Sequence, residues 1–120
     1  MTPLVLLLAA AAGGAGAAAR YVLDVWIGRL AGTRFPWGVF VINLTGSFLL
    51  GLVIGALPTA AAFVVGSGFL GGYTTFSTAM VDTIALWRDG ERPASVFHAG
   101  GMLVLGVLAA AAGLVLGAAL

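Results

Sequence analysis

The chain has 120 residues, of which 62% are hydrophobic before its 19 Gly are counted, and only 8% are charged. An ordinary soluble domain carries about 25% charged residues, so five Arg and four acids cannot clothe a soluble surface, and disorder would need low hydrophobicity with high net charge. The composition is that of an integral membrane protein; with no Cys and a single His98, it lacks the parts for a disulfide framework, a zinc site or a nucleophilic triad, and its scattered Arg do not make a nucleic-acid surface.

Residues 1–19, 35–81 and 93–120 hold no charged side chain. A membrane helix needs about 20 apolar residues. The first run, extended past Arg20 toward Trp26, predicts a span over 3–27. A cleaved leader ending near Ala19 is the alternative, but it lacks a positive start and three spans follow it. The middle run is too long for one span and predicts two, 37–57 and 60–87, turning at Pro58-Thr59. The last run predicts a fourth span over 95–118. No alternating β-barrel pattern is present. The expected fold is therefore all-α: residues 1–120 as a single transmembrane domain of four helices.

Loops 28–36 and 88–94 must lie on one side of the membrane. They carry Arg29, Arg34, Arg88 and Arg92, and Arg20 lies toward the same side. Both termini and the 58–59 turn carry no Arg or Lys, so the positive-inside rule places loops 28–36 and 88–94 in the cytoplasm. Trp26, Trp37 and Trp87 fall at span ends on that side, where indoles favour the interface.

Polar residues inside spans are informative because an unpaired hydroxyl or amide is costly in lipid. Span two holds Asn43, Thr45 and Ser47. Span three holds Ser67 and then Gly68-Phe69-Leu70-Gly71-Gly72-Tyr73-Thr74-Thr75-Phe76-Ser77-Thr78. Glycines alone would fit close helix packing. Followed by four hydroxyls and an aromatic, they predict a helix broken mid-membrane, with free carbonyls at one edge and free N–H groups at the other. No Lys, Arg, Asp or Glu sits at a span centre, which disfavours large anions, proton coupling and cationic drugs. The donors on offer are the Asn43 amide, the hydroxyls of Thr75, Ser77 and Thr78, and break-edge N–H groups. The electropositive ring edge of Phe76 adds to them. Such a set suits a small, strongly hydrated anion in a narrow pore.

Asn43-Leu44-Thr45-Gly46-Ser47-Phe48-Leu49-Leu50-Gly51 and the Gly68–Thr78 run closely resemble the Fluc fluoride-channel family, with a looser match at Gly13 and Gly16-Ala17-Ala18-Ala19-Arg20-Tyr21. The resemblance covers three of the four spans. It implies a passive fluoride channel in the cell membrane, built from two antiparallel subunits with two pores along their interface. It also implies a structural Na⁺ on the dimer axis, held by the backbone carbonyls of Gly71 and Thr74 and not transported. Asn43 and Phe76 would line the pore with Thr75, and Ser77 and Thr78 would lie on its polar side.

The chain departs from the family pattern at Ala79, where a second Phe is usual, and at Val39, where a Thr is usual. Its fourth span has no hydroxyl after Ser95. With its one-sided Arg distribution, it resembles one half of a pair of oppositely oriented paralogues, so the antiparallel partner is either a second copy or such a paralogue. Two other functions compete. A small multidrug exporter would need a membrane-embedded Glu, and Glu91 is in a loop; a non-conducting partner subunit would fit the missing pore groups. Asp82 fits an interfacial partner for Arg, Arg20 either a pore mouth or a snorkelling anchor, and His98 the start of span four.

Overall fold

The first helix begins where the sequence supplies a cap. The Val5 N–H donates to Thr2 Oγ1 at 3.2 Å, and Pro3 occupies the first turn, where its missing N–H costs nothing. In the computed structural model, which describes residues 2–120, α1 runs from there over Pro3–Ala31 and stops at Gly32, whose φ of +81° favours a residue without Cβ. α2 covers Trp37–Ala56 and ends before Pro58. α3 covers 59–73 as a helical turn at Thr59–Ala62, a π-helical stretch at Phe63–Leu70 and a last turn at Gly71–Tyr73. α4 covers Ser77–Arg88. After a turn through Gly90, α5 covers Arg92–Ala118.

α1, α2 and α5 are long and apolar enough to cross a membrane. α3 and α4 form the third element together, bent where residues 74–76 leave the helix. The four expected helices are present, and the third is interrupted as its sequence predicts. Two boundaries differ by more than a residue or two: α1 continues to Ala31 and α5 starts at Arg92. Helices can extend past the hydrocarbon, and the charges at these ends do not stop them. The π-helical stretch was not foreshadowed by composition or periodicity.

Small residues set the packing, as expected where lipid leaves little hydrophobic drive between helices. α2 and α5 pack most extensively. A Cβ on Gly51 would stand 2.1 Å from the Ala110 carbonyl oxygen, and one on Gly113 would stand 2.0 Å from that of Phe48. α1 meets α3 equally closely at Gly16 and Gly72. Ile42, Leu70 and Tyr73 are buried between these seams, against Ala19, Leu23, Val53 and Phe69.

Loops 28–36 and 88–94 do lie at one end. Arg34 reaches Glu91 at 3.9 Å, and the Phe35 ring packs on Phe97 and His98 of α5. At this end the Arg92 guanidinium lies 4.7 Å from the centroid of the Trp87 ring. His98 is buried rather than merely opening the helix: its Nδ1 pairs with Thr83 Oγ1 at 2.7 Å, and the Ser95 hydroxyl donates to the Thr83 carbonyl.

Candidate functional site

The interruption is built by side chains that replace helical hydrogen bonds. Thr74 turns extended, with φ −85° and ψ 160°. Its N–H and its hydroxyl both donate to the Leu70 carbonyl, at 3.0 and 2.9 Å, which closes the last turn of α3. The next peptide would normally continue the ladder, but Asn43 of α2 takes it instead. Its Nδ2 donates to the Thr75 carbonyl at 2.8 Å, and its Oδ1 accepts from the Thr75 N–H at 2.9 Å. One primary amide thus satisfies both polar groups of one residue, where leaving a buried backbone group unpaired costs about 1–3 kcal/mol. Thr75 Oγ1 then accepts from the Thr78 N–H at 3.3 Å and helps start α4.

Two more contacts hold the end of α3. Arg20 Nε donates to the Gly72 carbonyl at 3.2 Å. A guanidinium at a helix C-terminus faces the negative end of the helix dipole, so this Arg caps the break, a role neither sequence reading of it included. The Thr45 hydroxyl lies within hydrogen-bond reach of its own helix carbonyls at Val41 and Ile42. Its single proton is used there, so at 2.9 Å the buried Tyr73 hydroxyl donates to Thr45 Oγ1. Among the described residues no hydrogen bond reaches the carbonyls of Gly71 or Thr74.

The interruption opens on a groove of about 520 Å³ between α2, α3, α4 and α5. Asn43, Gly71, Thr74, Thr75 and Phe76 all line it, together with Ser47, Ser67 and Met102. Phe76 stands 78% exposed at its edge. Ser77 and Thr78 do not line the groove; they fall in the first turn of α4. Ala79 does line it, small and buried, while Val39 is buried elsewhere in the bundle. The structure thus brings five of the seven expected site residues together and leaves two aside. Met102 is a polar-contacting groove residue the sequence did not suggest, because an apolar-looking Met in an apolar span carries no signal.

Residues 7–114 match the family described as CrcB-like protein, Camphor Resistance (CrcB). The chain belongs to the CrcB family. Among its relatives, "Fluoride-specific ion channel FluC 1" of Leifsonia xyli subsp. xyli is 46% identical over 122 residues, covering 98% of this chain and 89% of the relative. "Fluoride-specific ion channel FluC 1" of Rubrobacter xylanophilus is 44% identical over 115 residues, covering 94% and 93%. "Fluoride-specific ion channel FluC" of Thermus thermophilus is 41% identical over 110 residues, covering 88% and 87%. Membership in CrcB makes the chain a membrane protein of a channel family and not an enzyme. The matched region reaches from α1 into α5, so the groove and every residue that forms the break lie inside it.

Proposed function

We propose that this protein is a fluoride-specific channel that lets the ion leave the cytoplasm down its gradient. The observation that carries this reading is the two-point bond between Asn43 and the Thr75 peptide. It holds a helix break in a groove whose wall offers an amide, a hydroxyl and a ring edge, and no fixed charge. Fluoride is small and strongly hydrated, so it needs close, strong donors to replace its water. Hydrogen bonds to an ion are roughly twice as strong as neutral ones. The positive edge of Phe76 adds a soft electrostatic contact. Ser77 and Thr78 join the path where the first turn of α4 meets the partner subunit.

The free carbonyls of Gly71 and Thr74 suit a hard cation, which prefers oxygen ligands. In an antiparallel dimer two copies supply four such oxygens, and a structural Na⁺ there would cross-brace the two breaks. The Arg-rich end with loops 28–36 and 88–94 faces the cytoplasm in this chain. Buried Ala79 and an α5 wall without hydroxyls favour a second arrangement, in which an oppositely oriented paralogue completes the pore and this chain is one half of a heterodimer.

The test is fluoride efflux from liposomes, read with a fluoride electrode. Protein reconstituted alone or with such a paralogue is expected to release fluoride and retain chloride. Full efflux by this chain alone removes the need for a partner. No fluoride-selective efflux in either preparation overturns the reading.

A further inference from the structure

We propose that Met102 is the displaceable occupant of the anion position at Asn43, an inference that rests on the fluoride-channel reading above. A primary amide has two N–H donors. One Asn43 N–H and the carbonyl oxygen are committed to Thr75. The remaining N–H goes to Met102 Sδ, with Nδ2 to sulfur at 3.5 Å. A thioether is a weak acceptor on a side chain with three rotatable bonds. It covers the amide proton while no anion is present and swings aside at small cost when a stronger acceptor arrives.

Two neighbouring hydroxyls of the groove wall explain why the position matters. The Ser47 hydroxyl donates to the Asn43 carbonyl, and the Thr74 hydroxyl to that of Leu70. Both protons are held by good acceptors of the main chain. Beside the Thr75 and Ser67 hydroxyls, Asn43 therefore offers the groove an N–H held only by a weak acceptor, and α5, which has no hydroxyl here, contributes sulfur instead. Fluoride, a strong charged acceptor, displaces the sulfur readily, and chloride, a weaker and larger one, does not. Met102 thus sets how much fluoride is needed to occupy the site, and by keeping the amide proton covered it raises selectivity against weak acceptors.

The test uses the full-length protein in nanodiscs with ¹³C-methyl methionine, titrated with sodium fluoride or sodium chloride. The Met102 methyl resonance, assigned by its loss in Met102→Leu, is expected to move saturably with fluoride and to stay in place with chloride. Met102→Leu keeps the volume and removes the acceptor, so in liposomes its half-saturating fluoride concentration should fall about two- to threefold, the worth of one weak hydrogen bond. A Met102 resonance that ignores fluoride in protein that conducts it, or an unchanged half-saturating concentration in Met102→Leu, overturns this inference alone. A wild-type protein that conducts no fluoride, with or without a paralogue, overturns the functional reading and this inference with it.

Discussion

The seam between α1 and α3 and the interruption at the end of α3 share one glycine-rich run, yet they use glycine differently. At the seam, a Cβ on Gly72 would stand 2.0 Å from the Gly13 carbonyl oxygen. One residue earlier, the nearest atom to a Cβ on Gly71 is 4.0 Å away. Gly72 is small because a neighbouring backbone lies against it, whereas Gly71 sits exposed in the groove with a free carbonyl. The break itself falls on neither. It begins at Thr74, because Asn43 captures the following peptide. Small residues permit the bend, but a hydrogen-bonding side chain from another helix makes it.

This contrast can be broken most sharply at the seams. Gly16→Leu would drive a side chain into the Phe69 carbonyl, only 1.9 Å from the Cβ position. Backbone against backbone cannot yield, so the loss should reach about 3 kcal/mol or more, and the folded protein should disappear from size exclusion in detergent. Asn43→Ala comes next. It strips partners from both polar groups of Thr75, at about 1–3 kcal/mol for each left unsatisfied. Fluoride efflux should vanish, while the seam-packed helices keep their helical circular dichroism. Asn43→Asp should fail similarly, because the Thr75 carbonyl loses its donor; wild-type efflux in that variant would show that the clamp is unnecessary.

Removing sodium tests the free carbonyls. Replacing Na⁺ with a large organic cation should slow fluoride efflux several-fold and lower the thermal midpoint of the assembled protein. An unchanged midpoint would leave Gly71 and Thr74 without a cation. Tyr73→Phe deletes one hydroxyl pair and should cost about 1 kcal/mol, the typical worth of one such bond in a membrane. Gly71→Ala should change the stability of the single subunit least, by less than about 0.5 kcal/mol. If it proved as damaging to the subunit as Gly72→Ala, the contrast between the two glycines would fall.

Much of this was legible in the chain because its signals are one-dimensional. Charge-free runs mark spans, and Arg34 and Glu91 in the two polar loops meet at one end, as alternating spans require. The Gly68–Thr78 run announced the break, and Asn43, Thr75 and Phe76 were recognisable as groove residues. Ser77 and Thr78 were not separable from them, since adjacent residues at a helix start point in different directions once the first turn forms. Arg20, Val39 and Met102 were opaque for a related reason. Their roles depend on which neighbouring helix stands opposite, and spacing within one helix does not say.

By itself the sequence determined that the chain is membrane-embedded, how many helices it forms, and which of them is interrupted, because lipid tolerates few polar groups and each one leaves a mark. Only the tertiary structure decided where the interruption falls, which glycines carry packing, and that a methionine sulfur covers the last free proton of Asn43. Hydrogen bonds and close contacts between helices depend on distances across the bundle, and no pattern along one strand of chain encodes them residue by residue.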